Sequence, residues 1–154
     1  MKKSFPLHKI LTYVCCLLAI ALLVCQFLPG YWVAEEDSAS VFQLVGFPGE
    51  HDDVADFILD QFEKNHTLNE MAWFSLLTMI LCILTPIFSV KTPESMTATV
   101  LTLLAGIASV YTYITGTELQ LGNAWMLHLI IAIVLLVVAV LRLVSLIIYN
   151  KKNK

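Results

Sequence analysis

Residues 124–141 read AWMLHLIIAIVLLVVAVL, 18 positions without a charged side chain. At ~1.5 Å of rise per residue this run forms a helix about 27 Å long, close to the ~30 Å hydrocarbon thickness of a bilayer. The apolar character continues past Arg142 through Leu143 to Tyr149, so a membrane span is expected over about 124–145.

Three further runs have the same quality. They cover 10–28, closed by Pro29-Gly30, then 71–90 and 96–115. Across all 154 residues, 58% are apolar and 14% charged. Soluble domains carry ~25% charged residues and distribute them along amphipathic faces. Here the charges gather at the ends and in the connections, so the uncharged runs face lipid. The expected fold is an all-α membrane protein, a four-helix transmembrane bundle forming a single membrane domain over 1–154. Its outer loop, 33–70, is expected to form a small extracytoplasmic domain.

The basic residues orient the bundle. Eight of the nine, Lys2, Lys3, Lys9, Lys91, Arg142, Lys151, Lys152 and Lys154, fall at the two ends or between the second and third runs. Lysine and arginine concentrate on the cytoplasmic side, so both termini are expected there, in a multi-pass cell-membrane protein. Eleven of the twelve acids lie in the first and third connections, with Glu94 the exception. Trp32, Trp73 and Trp125 all stand at the expected outer ends of spans, where amphipathic rings favour the interface. Arg142 is read as an anchor that extends its head group to the inner interface.

Lys2 and Lys3 before an apolar run also suit a signal peptide, but the run is long and no small-x-small cleavage site follows it. Cys15, Cys16, Cys25 and Cys82 all lie inside apolar runs without a Cys-x-x-Cys pair, so no disulfide framework is expected.

The first loop holds two patterns. Residues 38–47 carry apolar side chains without helical spacing and end at Gly46-Phe47-Pro48-Gly49, which predicts a short extended piece and a turn. From Asp52 to Lys64, Val54, Phe57, Ile58 and Phe62 share one stripe and Asp52, Asp53, Asp56, Asp60 and Glu63 occupy the rest. This predicts an amphipathic helix that caps the bundle or lies on the lipid interface. His51 and His66 near these acids match no metal-binding spacing, and no metal or other cofactor is expected. Asn65-His66-Thr67 is an acceptor sequon that short sequences produce by chance.

Small and weakly polar residues recur at three- and four-residue intervals within each run, placing them on one helical face suited to helix packing. The series are Thr12, Cys15, Ala19, Leu22 and Gln26; Ser75, Met79, Cys82, Pro86 and Ser89; Ala98, Thr102, Ala105, Ser109, Thr112 and Gly116; and Ala124, His128, Ala132, Leu135, Ala139 and Arg142. Gln26 ends the first run, Glu118, Gln120 and Asn123 fill the third connection, and His128 begins the fourth run. Together they form the candidate ligand site or polar cluster, because ionisable groups inside a span are functional suspects.

Gln26-Phe27-Leu28-Pro29-Gly30-Tyr31-Trp32 and Leu119-Gln120-Leu121-Gly122, followed by Trp125 and His128, resemble uncharacterised small four-span membrane proteins of Gram-positive bacteria. The resemblance covers the whole layout and implies a bacterial cell membrane, with no activity or catalytic residue to carry over. A claudin-like arrangement shares the large first loop but requires a Trp-Gly-Leu-Trp motif and a loop cysteine pair, neither present here. Quinone-linked disulfide oxidoreductases require paired cysteines that are also missing.

The expected function is non-enzymatic: binding a membrane-protein partner or a second copy, or helping to organise the cell envelope. The lipid bilayer is the expected environment, and no nucleic-acid partner is expected. Transport of a small molecule or ion is the alternative, motivated by His128 and the third connection. A membrane enzyme using His128 and Glu118 as acid and base is the third reading, although no nucleotide loop, HExxH motif or nucleophile elbow accompanies them.

Overall fold

Pro6 stands at the N-cap of the first helix with extended backbone, and its carbonyl accepts from Lys9 N at 2.9 Å. A proline there loses nothing, since the first amides of a helix have no partner within it. In the computed structural model, which describes residues 6–34, 37–44, 56, 60, 66–116 and 122–152, this helix, α1, runs Leu7–Cys25. Its end tightens: Gln26, Phe27 and Leu28 amides bond three residues back, to Leu23, Val24 and Cys25 carbonyls. Pro29 then stops the helix and Gly30 turns the chain at φ +99°, a left-handed conformation that suits glycine.

After the turn, β1 (Trp32–Ala34) pairs antiparallel with β2 (Asp37–Ala39), Val33 opposite Ser38. One helical turn follows, α2 (Val41–Leu44). The extended piece expected over 38–47 is therefore displaced: extension ends at Ala39 and the chain is helical from Val41. Ser40 explains the change. Its Oγ accepts from Gln43 N at 3.2 Å while Gln43 Oε1 accepts from Ser40 N at 2.8 Å, a reciprocal capping box. Of the amphipathic helix expected over 52–64, only Asp56 and Asp60 are described, both helical and exposed. The rest of it lies outside the described residues, as do Gly46-Phe47-Pro48-Gly49 and His51.

Three long helices complete the chain: α3 (His66–Lys91), α4 (Met96–Gly116) and α5 (Ala124–Lys152). Among the described residues, four helices are long and apolar enough to cross a membrane, which makes this a multi-pass membrane protein with an all-α bundle. The helices form a ring in chain order: α1 packs on α3 and α5, α4 packs on the same two, and α1 scarcely meets α4 across the diagonal. Both ends of the described chain and the α3–α4 turn share one end of the bundle, the terminal end. The opposite end, carrying residues 26–34 and 37–44 and the start of α5, is the loop end.

Small residues make the close approach possible. Thr12, Cys15, Ala19 and Leu22 on α1 are buried, as are Ala98, Thr102, Ala105, Ser109, Thr112 and Gly116 on α4. On α5 the buried set is Trp125, His128, Ala132, Leu135, Ala139, Arg142 and Leu146. Lipid tails are as apolar as leucine, so packing and interhelical hydrogen bonds, rather than water exclusion, hold such helices together. Large aliphatics such as Leu17, Ile80, Ile107 and Ile133 point outward instead. At the centre, Ala19, Leu22, Leu81, Cys82, Ala105, Ala108 and Leu135 form one apolar cluster. At the loop end, Tyr31, Ala39, Val41 and Leu44 lie on Met71, Ala72 and Trp125 as a second.

Two expected anchors are corrected. Trp73 is 68% exposed, but Trp125 is only 2% exposed, because Gly116 leaves room for its ring. Arg142 extends toward the α3–α4 turn at the terminal end, but into a buried position. It is 1% exposed, with Nη1 donating to Ser89 Oγ and Nη2 to the Pro93 carbonyl, both at 3.4 Å. The α3–α4 turn offers it an acceptor inside the bundle, so the head group turns inward.

Candidate functional site

His128 lies one turn into α5, on the same face as Trp125 and Ala132, and its ring is fully buried. Nε2 stands 2.8 Å from Ser109 Oγ and 3.0 Å from the Ser109 carbonyl on α4. Nδ1 stands 3.2 Å from the Tyr31 hydroxyl. A carbonyl can only accept, so the neutral ring carries its proton on Nε2, and Nδ1 accepts from the Tyr31 O–H. Tyr31 lies beyond the end of α1, and burial pushes its phenol above the ordinary range, which holds it in the protonated, donating form.

Tyr31 is the hub of this end. Its amide donates to the Ala39 carbonyl at 3.0 Å, and its own carbonyl accepts from Gly122 N at 3.1 Å and Trp125 Nε1 at 2.8 Å. Ala124 N donates to the Gly30 carbonyl at 3.1 Å, so residues 30–31 bind the start of α5 through backbone as well as side chain. The rings of Tyr31 and Trp125 meet edge-on at 4.8 Å and 79°, and His128 lies edge-on to Tyr31 at 5.8 Å and 89°. The positive φ at Gly30 is what turns Tyr31 back beneath the loop.

Gln26 occupies a separate position. Its Oε1 accepts from Ser75 Oγ on α3 at 2.7 Å, and its backbone carbonyl accepts from Phe42 N at 3.0 Å, joining α1, α3 and α2. Among the described residues its Nε2 is buried without a partner. No hydrogen bond joins Gln26 to His128 among the described residues. Asn123 is exposed in the turn before α5, where its carbonyl accepts from Met126 N. Glu118 and Gln120 lie outside the described residues.

Of the five residues the sequence grouped, the structure thus places Gln26 and His128 in two distinct buried contacts and Asn123 at the surface. Sequence reasoning missed Tyr31 as the partner of His128; Gly30 before an aromatic pair was the available signal.

A general base needs a lone pair that substrate can reach. The lone pair of His128 is held by Tyr31, and the ring has no exposed edge. The arrangement fixes α5 to α4 and to the loop. Among the described residues no three of His, Cys, Asp or Glu come together as a metal-binding group. No family model, curated protein or solved structure matches the chain.

Proposed function

We propose that this is a non-enzymatic membrane protein that binds a membrane-protein partner or a second copy of itself and helps organise the cell envelope. The observation that carries this reading is the closure of the polar site: His128, Tyr31, Ser109 and Trp125 bond to one another rather than lining a path or pocket. Such a network sets the shape of the loop end, on which residues 26–34 and 37–44 are displayed. In this reading the loop end faces outward and both termini are cytoplasmic, supported by the concentration of lysine and arginine at the terminal end. A bacterial cell membrane is supported by the resemblance to small four-span proteins.

Transport is the competing reading, favoured by buried polar atoms that have no partner among the described residues: Gln26 Nε2 at one end, Thr85 Oγ1, Thr99 Oγ1 and Arg142 Nε toward the other. The apolar cluster of Leu22, Leu81, Cys82 and Leu135 between them argues against a continuous path.

Purification in mild detergent after crosslinking in cells tests the proposal. A stoichiometric partner or a homo-oligomer is expected. Recovery of the monomer alone, with substrate flux in reconstituted vesicles, would replace it with transport.

A further inference from the structure

His8 joins the first helix to two other parts of the bundle at its terminal end. Its ring is 2% exposed and lies against Tyr149 of α5, with centroids 4.4 Å apart at 45°. Its Nε2 stands 3.8 Å from Glu94 Oε1 in the α3–α4 turn and has no hydrogen-bond partner among the described residues. At that distance a neutral ring makes no bond to the carboxylate. A protonated ring carries a charged donor on the same nitrogen, and the carboxylate in front of it is then an acceptor of opposite charge.

Glu94 is the only acid within 1–34, 91–116 and 124–154, whereas this end of the bundle holds Lys9, Lys91, Arg142, Lys151 and Lys152. Lys91, Lys151 and Lys152 are exposed at the ends of α3 and α5, and α4 carries no charged side chain. Arg142 is engaged with Ser89, the Pro93 carbonyl and Cys15. Lys9 Nζ stands 3.3 Å from the same Glu94 oxygen, but with Lys9 35% and Glu94 47% exposed this pair is screened by water and holds little. One carboxylate oxygen therefore lies between two bases. The lysine stays charged, and histidine is the side chain whose charge ordinarily changes between about pH 5 and 8.

We propose that His8 and Glu94 form a proton-operated latch between α1 and the α3–α4 turn. With the ring neutral, Glu94 pairs with Lys9 at the surface. The turn is then held by Arg142 on the Pro93 carbonyl and by its own backbone, Thr92 N on the Phe88 carbonyl and Ser95 N on the Thr92 carbonyl, both at 2.9 Å. With the ring protonated, Nε2 and the carboxylate close from 3.8 Å toward the ~2.8 Å of a charged hydrogen bond, drawing the turn onto α1 by about 1 Å. The Tyr149 ring packed against His8 limits its rotation away from Glu94. Because α1 scarcely meets α4, the latch adds a tie from α1 to the start of α4 that the neutral form lacks. The tie is present at low pH and lost as pH rises through the histidine range, so the terminal end stiffens on acidification.

Hydrogen exchange of the Ser95 amide reads the turn directly, measured on the full chain in nanodiscs at about pH 5.5 and about pH 8 and corrected for the intrinsic rate at each pH. Protection should be several-fold greater at the lower pH. His8→Gln and Glu94→Gln should each abolish the difference, while Lys9→Gln should keep or enlarge it by removing the competing base. Equal protection at both pH values in the unaltered protein would overturn the latch, and so would a difference that survives Glu94→Gln, since another group would then carry it. Loss of the difference in Lys9→Gln would assign the carboxylate to the lysine and overturn the role of His8. Should His8→Gln fail to fold, Glu94→Gln and Lys9→Gln, both at half-exposed positions, decide between these outcomes.

Discussion

Replacing Tyr31 with phenylalanine removes one oxygen from the loop end and leaves the ring against Trp125. The backbone bonds to Ala39, Gly122 and Trp125 do not involve the hydroxyl and persist. His128 Nδ1 is then buried without a donor, which costs on the order of 1–3 kcal/mol. His128→Leu removes the acceptor instead and strands the Tyr31 hydroxyl at similar cost, while Ser109 Oγ can fall back on a carbonyl of its own helix, as Thr102 and Thr112 already do. Because one bond is broken in both variants, the double variant should be less destabilised than the sum. Interhelical hydrogen bonds in membranes couple by ~0.6 kcal/mol on average and up to about 1.7, and a coupling in that range is expected. Reversible unfolding in mixed micelles measures all four species, with the lipid-facing Ile130→Leu as a control expected to be neutral. Additive effects would show that the Tyr31–His128 bond does not hold the loop end, whatever the size of the single effects.

Gly116→Ala should destabilise by about 1–3 kcal/mol through overpacking, since a Cβ there would stand 2.6 Å from Trp125 Cζ2 in a buried ring. Gly106→Ala should cost less, because the atoms it meets belong to Leu136, whose half-buried side chain can move toward lipid; equal costs in the same assay would contradict this. Ser40→Ala removes the cap of α2 and should cost ~1 kcal/mol locally, read as faster hydrogen exchange at the Gln43 and Leu44 amides with the spanning helices unaffected. The raised phenol of Tyr31 has a defined pH signature. Folding favours the protonated form, so its contribution is complete below the ordinary phenol value of about 10 and is lost as pH rises above it. The stability difference between the unaltered protein and Tyr31→Phe should therefore stay constant to about pH 10 and narrow beyond; widening would contradict the burial.

The spans were legible because length and charge-free composition are sufficient to place a helix in lipid, and the inward faces because small residues recur at helical spacing. His128 was correctly turned inward by its register with Ala132 and Ala139. What it meets was not legible: Tyr31 is 97 positions away and arrives through a left-handed glycine and a short strand pair. Grouping Gln26 with His128 failed because proximity to the same membrane end says nothing about which pair of helices a side chain lies between. Trp125 and Arg142 were read by residue type, as interfacial rings and cations usually behave. Local space decided otherwise, through Gly116 for one and the Pro93 carbonyl for the other. The capping box Ser40-Val41-Phe42-Gln43 was present in the sequence, but the apolar alternation around it suggested extension.

The central claim is a four-span bundle with both termini on the cytoplasmic side, and thiol labelling of intact cells tests it most directly. Single cysteines are introduced as Ser38→Cys, Glu50→Cys, Ser4→Cys and Asn153→Cys, and an impermeant maleimide is applied before and after permeabilisation. The account predicts labelling at 38 and 50 in intact cells, and at 4 and 153 only once the membrane is opened. Labelling at 4 or 153 on intact cells would contradict the orientation, and opposite behaviour of those two positions would contradict the even number of spans.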